Sequence, residues 1–400
     1  MSFFSGKKES DVVLVFDIGS GSVAGALVLI SAEHPATILY SFRSEIPFQH
    51  EATGIRLLSL MLRSLSQVML AITREGFELA GMGARRPRIR EAFVSLSAPW
   101  VVSQTSFLSL RNKAPTKITT HVFAELLKHS EEDGHPERKP IPKGGVLIER
   151  KLIKSVLNGY ATATPYEKEA ITAEFAVFES FSVPKVTEKI ADTITELIHP
   201  GHISFHSFSL LAFATLRELY PNKEHFMLID VSGEQTELSL IRGGVLSETV
   251  TFPFGRNHFV RALRRHAEVP VSGASAVLKL YRDNNGVGRL FERSKKTLDT
   301  IKGEWQEKLS KSLSNFSEET LLPRSIFLTA DEDLAPILSG ALQSGEVGGL
   351  TLSPSQLEVT VVGNETLAPL VAYSSSDTRD PFLGLICALA SRLEHGKNLA

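Results

Sequence analysis

The chain has 400 residues, 42% hydrophobic and 22% charged, which excludes a largely disordered chain or a coiled-coil rod. Lys and Arg number 43 against 45 Asp and Glu, for a formal net charge of −2, and without the basic excess usual in proteins dominated by nucleic-acid binding that class drops. Its single cysteine rules out a disulfide framework and a cysteine-based zinc or iron–sulfur site, and fits a reducing cytoplasm.

The first ten residues, with Phe3, Phe4, Lys7 and Lys8, read as a frayed end and show no signal-peptide pattern. Val12 to Phe16 is a continuous apolar, β-branched run and predicts a buried strand. Asp17 to Ser22 is a turn of small residues, and Val23 to Ile30 a second strand. Val12 to Ile30 is also the one stretch near membrane-span length. Asp17 lies inside it, and a carboxylate at a bilayer centre costs about 2.5–3.5 kcal/mol, so two strands and a turn explain it better. Ile55 to Thr73 has apolar residues at helical spacing, and Arg85 to Arg90 is a polar, basic boundary read as a solvated linker.

Next come a strand-like stretch over Ala92 to Leu110, a helix over Thr119 to Glu132 capped by Thr119 or Thr120, and strands over Gly145 to Tyr160 and Ala170 to Val183. Strand, helix, strand, strand makes a small α+β unit over residues 91–183. Pro184 to Ile198 predicts a helix, His202 to Phe208 a strand and Ser209 to Tyr220 a helix. Then the opening plan returns. Phe226 to Asp230 is an apolar strand ending in Asp, Val231 to Thr236 a turn, Leu238 to Ile241 a strand, and Gly243–Gly244 another turn. One such unit begins each half, which points to a duplicated two-lobed α/β fold. Residues 256–320 read as helical and charged, Ser325 to Thr329 as a late strand, and Phe382 to Leu393 as a core helix with Cys387 buried in it. No pair of the 12 histidines is spaced as a metal site, and no Ser–His–Asp signature is present.

A small-residue turn after a buried strand can aim several backbone N–H groups at one phosphate. Gly19 and Gly21 permit close approach, and Ser20 and Ser22 add hydroxyl donors. Asp17 would repel phosphate directly and is suited instead to holding Mg²⁺ through water, as is Asp230 from the other half. A single such turn reads as a tight hairpin; its repetition favours two turns facing across a nucleotide cleft.

These motifs resemble the actin-like ATPase superfamily, in particular the branch of the FtsA cell-division proteins and the PilM pilus-assembly proteins. The opening Val12 to Val23 resembles the first phosphate motif, and Phe226 to Leu238 the second. The inserted unit, marked by Leu157 to Pro165, resembles the strand-helix-strand-strand module of FtsA, and Asp380 to Leu385 the last helix. The resemblance implies a duplicated actin-like, ribonuclease H-like fold. Its parts would be a first lobe over 1–90, the module over 91–183, a return over 184–224 and a second lobe over 225–400 with a helical subdomain over 256–320. It implies ATP and Mg²⁺ as cofactors, with Asp17 and Asp230 as metal and catalytic residues. Gly19, Ser20, Gly21, Ser22, Ser232, Gly233, Thr236, Gly255 and Lys279 would contact the nucleotide.

Three departures weaken that site. Glu234 adds negative charge to the second turn, Ala330 to Asp333 has carboxylates where a Gly-Gly pair is usual, and Ala276 replaces a glutamate. The resemblance therefore implies at most a slow ATPase. It implies a cytoplasmic protein at the inner face of the membrane through its partners, with self-assembly. The partner would be a tubulin-like division filament protein or, for a PilM-like non-enzymatic adaptor, a peptide of a membrane-anchored protein. No nucleic-acid partner and no strong direct membrane binding are expected. The family's FtsA members carry a membrane-targeting tail beyond the last helix, and none is expected past Ala400. The module, holding neither phosphate turn, is expected to bind partners or to serve self-assembly rather than catalysis, and to move relative to the lobes.

Overall fold

A computed structural model describes residues 11–31, 33–50, 54–83, 87–132, 144–314, 316, 322–344, 357–375 and 379–394. The expected frayed end and Arg85 and Arg86 of the basic boundary lie outside the described residues.

The first lobe begins with β1 (Asp11–Ile18) antiparallel to β2 (Ser22–Ile30), which pairs antiparallel with β3 (Ala36–Glu45). The run in β1 is continuous because both faces of the sheet are covered. Val13 and Val15 enter one core, while Leu14, Phe16 and Ile18 enter another. Helix α1 (Gly54–Ala71) runs through a π-helical turn (Ile72–Gly76) into the short α2 (Phe77–Leu79). Its stripe of Leu57, Met61, Leu65, Val68 and Met69 packs into the second core. Among the described residues Gly54–Leu79 is long and apolar enough to cross a membrane. That corrects the expectation that only Val12 to Ile30 nears that length; the buried stripe makes it a core helix here. β4 (Glu91–Leu96) lies parallel to β1.

The inserted module follows as β5 (Val101–Lys117), α3 (Thr120–Glu132), β6 (Val146–Leu157), β7 (Tyr160–Ala161) and β8 (Glu169–Ser182). Its strands lie in the order β5-β8-β6-β7, and α3 seats Phe123 and Leu126 on Leu108, Phe175 and Val177. Thr119 is the cap, its hydroxyl accepting from the N–H of Val122 at 3.2 Å. Asn158 (φ 50°) and Gly159 (φ 83°) make the two-residue hairpin turn between β6 and β7.

The chain returns through α4 (Pro184–Leu197), β9 (His202–Ser207) parallel to β4, and α5 (Phe208–Leu219). The second lobe holds β10 (Phe226–Val231), β11 (Thr236–Arg242), β12 (Val245–Phe252), α6 (Arg256–Ala267), α7 (Val271–Asp283) and α8 (Arg289–Leu313). β13 (Ser325–Ala330), α9 (Ala335–Gln343) and β14 (Glu358–Val361) follow. Last are α10 (Asn364–Leu367), β15 (Val371–Tyr373) and α11 (Pro381–Glu394).

The duplication is visible in strand order, β3-β2-β1-β4-β9 in one lobe and β12-β11-β10-β13-β14 in the other. In each, the Asp-ended strand is antiparallel to the next strand and parallel to a later one.

Two boundaries differ from expectation. The strand expected over Ala92 to Leu110 breaks at a turn, closed by the Trp100 N–H on the Ser97 carbonyl at 3.0 Å. β4 therefore belongs to the first lobe, and the module begins at β5 rather than at residue 91. The end of the expected second lobe also crosses back. β15 pairs with β3 and α11 packs against β1 and α5, because its near-continuous apolar run fills the first lobe's core. Cys387 is buried there, as expected.

The module is bonded to both lobes. Glu149 on β6 takes a 2.6 Å bond from His206 on β9 and accepts the N–H of Ser207 at 3.2 Å, all three residues buried. On the other side, Lys154 donates to the Gly243 carbonyl at 3.0 Å and Thr105 to that of Leu246 at 2.5 Å. Instead of a module hinged to one lobe, the fold has a brace across two.

Candidate functional site: the cleft between the two turns

The paired strands bring Asp17 and Asp230 to the same cleft, together with both turns. The turns touch. A Cβ built on Gly233 would stand 2.4 Å from the Cα of Gly21, and one on Gly21 2.9 Å from the Cα of Gly233. The Ser20 and Ser232 hydroxyls are bonded at 2.9 Å, and the N–H of Glu234 donates to Ser20 Oγ at 2.9 Å. These are the groups that a phosphate nest would aim at a ligand, and here they bond one another.

Asp17 faces a cation of the protein itself. Arg43, from β3, donates to Asp17 Oδ2 at 2.9 Å, to Ser22 Oγ at 2.7 Å, and to both oxygens of Asp380 at 2.8 and 3.0 Å. Its guanidinium also lies 5.2 Å from the Phe382 ring centroid. Burial raises the Asp17 pKa and Arg43 opposes that, leaving it above the usual range. Burial would lower the Arg43 pKa, but Asp380 and Asp17 raise it, so the side chain stays charged. Asp230 is buried too and accepts from the Thr329 hydroxyl at 2.7 Å; burial holds its carboxyl well above the usual range despite that bond.

The remaining predicted residues are engaged elsewhere or stand apart. Thr236 has no exposed surface; its hydroxyl donates to the Phe254 carbonyl and accepts from the Trp305 indole at 3.2 Å. A Cβ on Gly255 would stand 2.4 Å from the Ser232 carbonyl oxygen, so the glycine lets α6 start against the second turn. The Gly19 carbonyl accepts from the Trp100 indole at 2.8 Å. Lys279 lies exposed on α7.

Glu234 is the largest surprise of the second turn. It accepts from Arg261 at 2.6 Å and from Asn257 at 2.8 Å, both on α6, so its charge is met inside the lobe. The segment from Ala330 to Asp333 is closed in the same way. Arg256 donates to Asp333 at 2.6 Å and lies 3.3 Å from Asp331, and Ser275 donates to Asp333 as well. Burial raises and the bonds to Arg256 lower the Asp333 pKa, and the bonds prevail.

An ATP–Mg²⁺ group does not fit between the turns as they stand. The turns leave no gap for phosphate, a guanidinium holds the carboxylate meant for the metal, and ion pairs close the segment after β13. Among the described residues no group of three or more His, Cys, Asp or Glu is placed to hold a metal ion. Sequence reasoning did not find Arg43, Asp380, Arg256 or Arg261. The alternation of β3 was a signal for its strand, but nothing in the sequence pairs position 43 with position 380.

The fold defines a two-lobed protein of the actin-like ATPase fold, with an inserted module and a self-bonded cleft. No family model matches the chain, and no curated protein matches it. Among solved structures it is similar to one described as the "PilM-PilN type IV pilus biogenesis complex", with a TM-score of 0.63 and 16% identity over 95% of this chain and 98% of that one. Weaker likenesses are the ethanolamine utilization protein EutJ from Carboxydothermus hydrogenoformans (TM-score 0.42, 10% identity, 96% of this chain and 91% of that one) and component A of (R)-2-hydroxyglutaryl-CoA dehydratase from Acidaminococcus fermentans (TM-score 0.43, 11% identity, 97% and 100%). At these identities the likeness is one of fold.

Proposed function

We propose that this protein is a non-enzymatic actin-fold adaptor, PilM-like rather than FtsA-like, that takes a peptide of a membrane-anchored partner and holds its lobes together without nucleotide. The observation that carries this is the contact of Gly21 with Gly233, reinforced by Arg43 on Asp17. A nucleotide clamp needs the turns apart and Asp17 free for a hydrated metal. Here backbone meets backbone, and the module is bonded to both lobes. The peptide partner rests on the similarity to a PilM–PilN complex. The module offers the strand edges for it: β5 and β7 end its sheet, with Phe107 and Tyr160 exposed. Location at the inner face of the membrane would follow from that partner.

The rival is an FtsA-like protein that binds ATP–Mg²⁺, self-assembles and links a tubulin-like filament to the membrane. The test measures ATP turnover and Mg²⁺-dependent ATP binding for the parent and for Asp17→Asn. The adaptor reading expects no turnover and no Mg²⁺-dependent binding. Millimolar or tighter binding that requires Mg²⁺ and is lost in Asp17→Asn would restore the rival.

A further inference from the structure

A second concavity lies between α6 and α8, with a volume of about 660 Å³. That is within the usual range for small-molecule sites, roughly 300–1,000 Å³. Its lining carries Arg261, Arg265, Arg293 and Lys296 against one carboxylate, Glu304. The whole chain is slightly acidic, so this local excess is not a by-product of composition.

The cations are only partly answered. α6 contains Arg256, Arg261, Arg264 and Arg265 and no acidic residue. Arg256 and Arg261 have their carboxylates in the cleft, while Arg264 meets the ring of His50 at 2.6 Å. Arg293 pairs with Glu268 at 3.0 Å, both exposed. Arg265 and Lys296 have no ion-pair partner among the described residues. His258, also in the lining, is half-buried beside Arg261, whose Nη2 donates to its Nδ1 at 3.2 Å; burial and then Arg261 lower its pKa to about 4. Like charges held in one concave surface repel, and a multivalent anion relieves that repulsion. The floor between them is apolar, made by Ala262 and Ile301.

We propose that the α6–α8 groove binds an oligophosphate directly on Arg265, Lys296 and Arg293, without a metal ion. Guanidinium groups match phosphate oxygens by forked hydrogen bonds, and three or four cations neutralise a di- or triphosphate unaided. Mg²⁺ would compete for the same oxygens. Inorganic oligophosphate and the phosphate tail of a nucleotide share this chemistry. The apolar floor would add affinity for the latter. The inference accepts the adaptor reading of the cleft and concerns other residues, Arg265, Lys296 and Arg293.

The experiment titrates the full chain with tripolyphosphate and, separately, with ATP, in EDTA at low salt, by calorimetry. Saturable binding of tripolyphosphate is expected, weakened about tenfold or more by the double variant Arg265→Glu, Lys296→Glu and by raising the salt to about 0.5 M. Mg²⁺ should weaken it, and Asp17→Asn should leave it unchanged. Both substituted groove residues are solvent-exposed, so the double variant should melt with the parent. Tighter binding of ATP than of tripolyphosphate would identify a nucleotide as the occupant; equal affinities would identify oligophosphate itself. Absence of binding at millimolar tripolyphosphate, or binding unaltered in the double variant, overturns the groove proposal and leaves the adaptor reading intact. Binding that requires Mg²⁺ and Asp17 overturns both.

Discussion

Gly21 and Gly233 lie in opposite halves of the duplicated fold, and a Cβ built on Gly233 would come within 2.4 Å of the Gly21 Cα and 2.5 Å of its nitrogen. Neither contact is with the end of a flexible side chain. A methyl there must push one lobe's backbone away from the other's. Gly19, in the same turn, would meet nothing closer than 3.5 Å. Gly233→Ala should therefore destabilise the protein by about 1–3 kcal/mol, as overpacking does, while Gly19→Ala stays within about 1 kcal/mol of the parent. Urea unfolding of the two variants checks this. Equal and small effects would mean that the turns are not in contact in solution.

Arg43 joins three elements through Asp17, Ser22 and Asp380. Arg43→Met keeps an apolar stem of similar length but removes the guanidinium from Phe382 and leaves two carboxylates facing each other. Breaking a largely buried pair from one side costs about 3–5 kcal/mol, and the partial exposure of Arg43 puts the expected loss at about 2–4 kcal/mol. Arg43→Lys should recover only part of it, because one ammonium cannot reproduce the fork across two carboxylates. Full stability of Arg43→Met in denaturant titrations would remove the guanidinium from its assigned place.

Asp230 gives a pH signature. Burial raises its folded-state pKa well above the ordinary carboxylate value. The fold therefore favours the protonated form. The stabilisation is present in full below the ordinary carboxylate range and is lost as pH rises through the raised value. Asparagine imitates the protonated group and keeps an oxygen for the Thr329 hydroxyl. Asp230→Asn should match the parent in Tm near pH 4 and exceed it at pH 8. A variant less stable than the parent at pH 8 contradicts this.

His258 runs the other way. Its folded-state pKa is lowered to about 4 from an ordinary 6.5, by burial and by Arg261. Protons then bind the unfolded chain first, so stability falls as pH drops from about 6.5 towards 4. His258→Asn should flatten the Tm profile in that window and leave it unchanged above pH 7. Identical slopes in parent and variant would show that the imidazole does not titrate as described.

The duplicated architecture was legible in the chain because it rests on local pattern. Apolar runs ending in Asp17 and Asp230, each followed by a small-residue turn and a second strand, are readable over twenty residues. The module was legible for the same reason, and so was the burial of Cys387. β3 and β12 went unread. Polar residues such as Ser41 and Arg43 in β3 and Ser247 and Glu248 in β12 leave neither strand the continuous apolar run that marks β1 and β10. β15 and α11 were read into the wrong lobe, since hydrophobicity identifies a core residue without saying which core.

The sequence by itself determined that two Asp-ended turns would face each other, because strand pairing within each lobe carries each turn to the same relative place. What stands between them was decided only by tertiary structure. Arg43 meets Asp380 across 337 positions, and Ser20 meets Ser232 across 212. A charge or hydroxyl has the same composition whether it faces a ligand or a distant side chain. Glu234 read as repulsive to phosphate, and Asp331 and Asp333 as an acidic defect. Packing supplied Arg261 and Arg256 at hydrogen-bonding distance, so those charges hold the protein together. The electrostatics of the cleft depend on separations of a few ångströms between residues hundreds of positions apart, and only the folded chain fixes those distances.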